Sequence, residues 1–214
     1  MEIKNIKPGD IEKKSFEIIA DELKKRNITL VSGTEPIVMR CIHTSADFDY
    51  AESLYFSDGV IDRAIEALRS GADIVTDTQM AMAGISKKTL ARFGGRVHCF
   101  MADEDVAEEA KRRGVTRAVV SMEKASKLEK PLIFAIGNAP TALIRTAELY
   151  EQGKIRPEAV IGVPVGFVNV IASKEKIMQT GVPCIVARGR KGGSNIAACI
   201  CNALLYTASG RKLT

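Results

Sequence analysis

The chain has 214 residues, of which 46% are hydrophobic and 27% are charged, and its formal net charge is +5. This composition predicts one folded domain with a sizeable core and excludes an intrinsically disordered chain. Only 5% of the residues are aromatic and none is tryptophan. Since no dense basic stripe is present either, we expect no nucleic-acid partner.

The cysteine pattern is typical of a reducing compartment. The five cysteines, an odd number without a C-x-x-C pair, are Cys41, Cys99, Cys184, Cys199 and Cys201. Their apolar neighbours predict buried thiols rather than disulfides or a metal site. The N-terminus is charged from Glu2 onward, and the apolar stretches are short and interrupted by Gly and Pro. We therefore expect a cytoplasmic protein with no signal peptide and no membrane association.

The first 57 residues predict a helical N-terminal arm. An amphipathic helix is expected over 15–26, with Ser15 as its N-cap, and a second helix is expected from Thr34 or Glu35, with Pro36 in its first turn. We expect this arm to pack on the remainder of a single domain that spans 1–214.

From residue 58 the pattern alternates between strands and helices. Strands are predicted at 74–75, 96–101, 117–121, 132–136, 159–163 and 184–187, and helices at 58–70, 103–113, 138–151 and 194–206. Asp58 and Asn138 are the expected N-caps of two of these helices. Short apolar strands that alternate with helices predict an α/β fold, a three-layer αβα sandwich with a mostly parallel sheet.

Ligands of open parallel sheets bind beyond the carboxyl ends of the strands. Unusual residues follow several predicted strands there, at 76–80, 137–141, 164–167 and 188–195. The last loop contains three cations, Arg188, Arg190 and Lys191, followed by Gly192-Gly193-Ser194-Asn195. Glycine amides beside a helix N-terminus favour an anion. A tight turn followed by a helix cap is the alternative interpretation.

His43 is one of only two histidines, and it follows Arg40 by three residues. In a helix the two side chains lie on one face, so an anion anchor and a group that exchanges protons near neutral pH are expected to open onto the same volume. The second histidine, His98, falls within a predicted strand and is interpreted as structural. A surface or core histidine without function is the alternative for His43.

Five segments together resemble the precorrin-8X methylmutase family, including its cobalt-precorrin-8 branch. They are Ile11-Glu12-x-x-Ser15-Phe16-x-Ile18-Ile19, Arg40-x-x-His43, Gly137-Asn138-Ala139-Pro140-Thr141-Ala142-Leu143, Gly162-x-Pro164-Val165-Gly166-Phe167-Val168 and Arg188-Gly189-Arg190-x-Gly192-Gly193-Ser194. They occur in order from residue 11 to residue 194. Each segment is weak alone, but the combination is specific.

The resemblance implies a flavodoxin-like homodimer that needs no cofactor and no metal. It implies an isomerase of corrin-ring synthesis that moves a methyl group from C11 to C12, giving hydrogenobyrinate, or cobyrinate when cobalt is already inserted. His43 corresponds to the family's proton donor and acceptor, and Ser15 and Arg40 correspond to substrate-binding residues. Further candidate contacts to a corrinoid that carries many carboxylates are Thr78, Arg117, Asn138, Arg188, Gly192, Gly193 and Ser194. The stretch 42–50 is more similar to the cobalt branch.

Two other functions remain open from the residues alone. A non-catalytic tetrapyrrole carrier would use the same cations, with His43 only holding a carboxylate. A nucleotide- or sugar-phosphate-using enzyme would use the loop at 189–194 as a phosphate cradle, and Asp77 would be the candidate ligand of Mg²⁺.

Overall fold

Six strands form one sheet in a computed structural model that describes residue 7 and residues 10–211. The strands are β1 (Leu54–Phe56), β2 (Asp73–Thr76), β3 (Val97–His98), β4 (Leu132–Ile136), β5 (Ala159–Gly162) and β6 (Cys184–Ala187), in the order β1-β6-β5-β4-β2-β3. Only β1 is antiparallel to its neighbour; every other pairing is parallel. The predicted α/β class with a mostly parallel sheet is therefore confirmed.

The helices are α1 (Ile11–Lys25), α2 (Glu35–Ser45), α3 (Tyr50–Ser53), α4 (Val60–Arg69), α5 (Gln79–Gly84), α6 (Lys87–Arg92), α7 (Glu104–Arg113), α8 (Arg117–Ala125), α9 (Pro140–Glu151), α10 (Val170–Gln179) and α11 (Ser194–Ala208). None of the helices in the described part of the chain combines the length and the apolarity that a bilayer crossing requires.

The five parallel strands follow the 2-1-3-4-5 order of a flavodoxin-like sheet, counted in chain order from β2. The direction of winding changes between β2 and β4, which are neighbours in the sheet. Such a switch point separates the loops at the carboxyl ends of two adjacent strands, and it is where ligands of this architecture bind. The candidate loops after Thr76 and Ile136 flank it.

The strands alternate their side chains between two apolar cores. Ile133, Ala135, Ile161 and Ile185 face a layer that contains α1, α2, α4 and α11. The alternate residues of the same strands face a layer that contains α8, α9 and α10; they include Phe134, Ile136, Val160 and Val186. Both faces of the sheet are thus covered, which explains why the strands are continuous apolar runs.

The N-terminal arm packs through the apolar stripe of α1. Phe16, Ile19 and Leu23 recur at helical spacing and are 5–6% exposed within the core that α2 and α11 share. Pro36 lies in the first turn of α2, as the sequence predicted. The arm thereby places the end of α2 beside the carboxyl edge of the sheet.

Several sequence predictions of local structure were wrong. The strand predicted at 117–121 is helix α8, because its buried residues pack against α9 and the Thr116 side chain caps its first turn. The strand predicted at 96–101 is paired only over Val97–His98. At this edge of the sheet Phe100 leaves the ladder and packs against α7 and α8 instead.

Three predicted N-caps were also wrong. Ser15 lies one turn inside α1, which begins at Ile11. Asp58 and Asn138 each precede the observed N-cap by one residue, since Gly59 and Ala139 occupy the two cap positions. Among the cysteines, Cys99 is half-buried rather than buried, whereas the other four are buried and all five are free.

Candidate active site

The loops after β2 and β4 are joined by one carboxylate. Asp77 is fully buried, and its oxygens accept hydrogen bonds from the backbone N–H groups of Gly137, Asn138 and Ala139 at 2.6–2.8 Å. Burial raises the pKa of this carboxyl, and the three N–H donors oppose the increase. Asp77 therefore fills the anion position at the start of α9 and is committed to structure. This occupancy removes the support for a magnesium ligand at Asp77.

The loops after β2 and β6 meet through two hydroxyl groups. Thr78 Oγ lies 2.8 Å from Ser194 Oγ and also accepts a hydrogen bond from Ala81 N–H, which caps α5. A side chain at Gly137 would place its Cβ 2.7 Å from Ser194 Cα. The glycine is thus required for the close approach of the β4 loop to the first turn of α11.

The glycine-rich loop of residues 188–193 is held against the β5 loop. Gly193 N–H donates to the carbonyl of Val163 at 2.9 Å, and Gly166 N–H donates to the carbonyl of Arg190 at 3.2 Å. Gly192 has φ +155°, and a Cβ there would overlap the Val163 carbonyl oxygen. The backbone path of this loop therefore depends on glycine at position 192.

The end of α2 and the turn after it contact both the glycine-rich loop and α11. Lys191 Nζ binds Asp47, at 2.6 Å, and Asp49. This pairing lowers the pKa of Asp47 and raises that of Lys191. Thr44 Oγ1 lies 3.2 Å from Cys199 Sγ on α11. His43 precedes Thr44, so it lies at the same end of the sheet as the strand-end loops.

His43 is exposed in the last turn of α2, and its ring is oriented by Ser15 of α1. The two side chains form a hydrogen bond of 2.7 Å between Ser15 Oγ and His43 Nδ1. A hydroxyl both donates and accepts, so Ser15 can hold the ring whether Nδ1 is bare or protonated. His43 Nε2 has no hydrogen-bond partner within residues 10–211 and is free to exchange a proton with a ligand.

A largely apolar cavity of about 350 Å³ opens beside this pair. Its walls combine hydrocarbon with the two polar side chains and are formed by Ile11, Lys14, Ser15, Ile18, Ile19, Ile42, His43, Ala46 and Phe48. Ile11 and Ile18 are more than half exposed there. This combination suits a large ligand with an apolar face that needs a proton exchanged at one position.

Arg40 does not share the His43 cavity, contrary to the sequence prediction. Its guanidinium pairs with Glu12 at 3.0 Å and lies over the rings of Phe16 and Tyr206. Arg40 lines a separate cavity of about 460 Å³ formed with Tyr206 and the end of α11. The Phe16 ring lies 5.3 Å from the His43 ring and 5.4 Å from Arg40 Cζ, so it packs against both side chains.

The remaining candidate cations differ in their availability. Lys191 is already paired with two aspartates, so it is less available to an anionic ligand than a cation without an ion pair. Arg188 and Arg190 lie over the rings of Tyr55 and Phe167, and neither forms an ion pair with any described residue. Arg117 is the first residue of α8. The capping residue before it, Thr116, forms a hydrogen bond of 2.9 Å with Thr141 at the start of α9, so Arg117 lies beside the loop after β4.

The comparisons with known proteins place these residues in a family. Residues 10–207 match the sequence profile described as precorrin-8X methylmutase. The chain belongs to the precorrin-8X methylmutase family. Methylmutases of this family are isomerases that move a methyl group within precorrin-8X.

Curated methylmutases match the chain over nearly its whole length. The cobalt-precorrin-8 methylmutase of Priestia megaterium is 45% identical over 95% of this chain and 89% of that protein. The enzyme of the same name from Salmonella typhimurium is 42% identical, covering 93% and 95%, and the precorrin-8X methylmutase of Pseudomonas aeruginosa is 35% identical, covering 91% and 93%. The crystal structure of the Thermus thermophilus precorrin-8X methylmutase superposes with a TM-score of 0.84, at 35% identity, over 94% of this chain and 98% of that chain.

Reasoning from the methylmutase sequence alone missed one side chain beneath the site, Lys174 of α10. It is 0% exposed, and its ammonium donates to the carbonyls of Gly189 and Lys191 at 2.9 and 2.8 Å. Burial lowers the pKa of Lys174 to about 8. Helical spacing could have revealed it, because Lys174 falls four residues after Val170 and three before Ile177, on the buried stripe of its helix.

Proposed function

We propose that this chain catalyses the transfer of a methyl group from C11 to C12 of precorrin-8X or cobalt-precorrin-8. The product is hydrogenobyrinate, or cobyrinate when the macrocycle already holds cobalt. The observation that carries the proposal is the family match over residues 10–207, which includes the helix of His43 and every strand-end loop of the site.

His43 is the proposed proton donor and acceptor. Protonation of the conjugated macrocycle near C11 withdraws electron density and favours migration of the methyl group, and removal of the proton completes the isomerisation. The free Nε2 position and the Ser15 contact at Nδ1 support this role, since one nitrogen is oriented while the other is accessible. Within the described residues, no cluster of His, Cys, Asp or Glu is arranged to hold a metal ion.

The substrate contacts are proposed at two places, the cavity beside His43 and the loops at the strand ends. The apolar wall beside His43 receives the flat ring, with Ser15 at its edge. The polar contacts to peripheral carboxylates are assigned to Arg40, Thr78, Arg117, Asn138, Arg188, Arg190, Gly192 and Ser194. The N–H of Gly193 already donates to the Val163 carbonyl, so that residue shapes the loop rather than binding a carboxylate. Arg188 and Arg190 have the strongest support among the cations, because they form no ion pair with a described residue.

We further propose the cobalt-bearing macrocycle as the substrate of this chain. The two cobalt-precorrin-8 methylmutases named above are 45% and 42% identical, whereas the Pseudomonas enzyme, named for precorrin-8X, is 35% identical. Side-by-side rates with the cobalt and metal-free substrates test this proposal. A higher kcat/KM for the metal-free substrate would contradict it.

We also propose that the chain works as a homodimer in the cytoplasm. Large apolar side chains are exposed at the carboxyl edge of the sheet, where Phe167 is 84%, Val168 79% and Met80 70% exposed. Exposed apolar side chains of this size support burial against a partner or a ligand. Light scattering during size exclusion is expected to give twice the 23.2 kDa of one chain, and a mass of one chain at micromolar concentration would refute the dimer.

Turnover tests the proposed activity against the carrier alternative. Purified protein is mixed with an excess of cobalt-precorrin-8, and the absorbance change of the macrocycle is followed. A catalyst converts many equivalents of substrate per chain. Conversion that stops at one equivalent, or binding without conversion, would favour a tetrapyrrole carrier instead.

A further inference from the structure

The glycine-rich loop of residues 188–193 surrounds a buried ammonium that has no anionic partner within residues 10–211. Lys174 is 0% exposed, its pKa is lowered by burial, and its Nζ atom donates to two acceptors in the described part of the chain, the carbonyls of Gly189 and Lys191. An unpaired buried cation is costly, so we expect it to have a role that an apolar side chain would not supply.

The two carbonyl contacts fix the orientation of two peptide groups. No cis peptide occurs in the described chain, so the N–H of each peptide points away from its carbonyl. The carbonyls of Gly189 and Lys191 face Lys174, and therefore the N–H groups of Arg190 and Gly192 point to the opposite side of the loop. Neither N–H has an acceptor among the described residues.

The side of the loop opposite Lys174 is accessible. Arg188 and Arg190 are exposed, and Gly192 is half-exposed. The peptide group between residues 190 and 191 has a different orientation from the two whose carbonyls face Lys174, since its carbonyl, that of Arg190, accepts a hydrogen bond from the N–H of Gly166. Two unpaired N–H groups and two arginines without ion pairs therefore share one short segment, which is the donor set that a carboxylate requires.

We propose that Lys174 is a positioning residue that holds the Arg190 and Gly192 N–H groups outward to receive one peripheral carboxylate of the corrinoid. This inference rests on the proposed function, because it concerns how the same substrate is held. Lys174 itself does not touch the substrate. It acts by fixing which face of the loop presents donors and which presents acceptors.

The K174M and K176M variants form the matched pair for a first test. Lys174→Met keeps an unbranched side chain and removes the ammonium. Lys176 lies on the same helix but pairs with Glu151 at the surface, at 3.1 Å. The readouts are kcat and KM for cobalt-precorrin-8, the Kd for cobyrinate from absorbance titration, and the melting temperature.

We expect K174M to raise KM and Kd on the order of tenfold, with kcat changed by less than about threefold, since a binding contact is lost and the proton-exchange step is untouched. K176M is expected to match the wild type. A folded K174M protein with wild-type KM and Kd, or an equal effect in K176M, would overturn the inference.

A second measurement needs no substitution and decides the matter if K174M does not fold. The amide resonances of the wild-type protein are followed by NMR during titration with cobyrinate. The Arg190 and Gly192 amides are expected to shift more than the Lys191 amide. The Lys191 N–H shares its peptide group with the Arg190 carbonyl, which accepts from Gly166, so this N–H faces a different side of the loop. Binding of cobyrinate without these shifts would contradict the positioning role alone, whereas failure of the wild type to bind cobyrinate would count against the proposed function.

Discussion

Ser15 Oγ lies 2.7 Å from His43 Nδ1, and this hydrogen bond joins α1 to the last turn of α2. Twenty-eight residues of sequence separate the two side chains. The hydroxyl can serve the imidazole in either protonation state, because it accepts from a protonated Nδ1 and donates to a bare one. The pair therefore presents Nε2 in a fixed direction while the ring gains and loses a proton.

Replacement of His43 by asparagine is expected to lower kcat by ~10²–10⁴-fold, the usual contribution of a general acid–base group. The side chain is exposed, so the melting temperature should change little. Steady-state kinetics with cobalt-precorrin-8 measure the effect. The H98N variant is the control, since His98 Nε2 bonds buried Asp73 at 2.8 Å and its loss should affect stability rather than kcat. A His43→Asn enzyme with wild-type kcat would exclude the proton role.

Ser15→Ala removes the orienting hydrogen bond but leaves the imidazole in place. We expect kcat to fall about tenfold, which corresponds to ~1.4 kcal/mol of lost transition-state stabilisation. The S45A variant is a matched control, because Ser45 Oγ donates to the carbonyl of Cys41 on the same helix and does not contact His43. Equal rates for S15A and the wild type would show that the ring needs no such support.

Gly192→Ala is expected to destabilise the protein severely, by about 2 kcal/mol or more, because the added methyl overlaps the Val163 carbonyl at a positive φ. Urea unfolding measures the loss. Gly189→Ala is the control: its φ is also positive, but no atom lies within 4 Å of the added methyl, so only the cost of about 1 kcal/mol for the left-handed conformation applies. Similar losses for both variants would refute a close contact at residue 192.

Arg188→Gln removes a cation that forms no ion pair with a described residue. We expect the KM for cobalt-precorrin-8 to rise several-fold, which corresponds to about 1 kcal/mol of lost binding free energy, and the dependence of KM on salt to weaken. Lys191→Gln should raise KM less, since Asp47 and Asp49 already neutralise that ammonium. The comparison requires KM at two or more salt concentrations. A larger effect at Lys191 than at Arg188 would show that Lys191, and not Arg188, is the cation available to the substrate.

Local signals were sufficient for much of the fold. The apolar runs of β4 and β6 and the alternation with helices predicted a parallel sheet, and the pattern of α9 and α11 predicted two helices close to their observed bounds. The prediction failed at Arg117–Ala125, where alanine and valine residues fit a strand and a helix equally well. Packing against α9 decides between the two, and packing is not visible in one sequence.

The sequence by itself determined the class of the protein, the loops at the strand ends and the two residue types that a proton-exchanging, anion-binding site requires. Tertiary structure alone decided that Ser15 reaches His43, that Arg40 packs over Phe16 and pairs with Glu12, that Lys191 is already paired, and that Lys174 lies beneath the glycine-rich loop. Periodicity reports which face of an element is buried, because burial follows from local spacing. Pairing between side chains far apart in sequence depends on how those elements pack, and this information is present only in three dimensions.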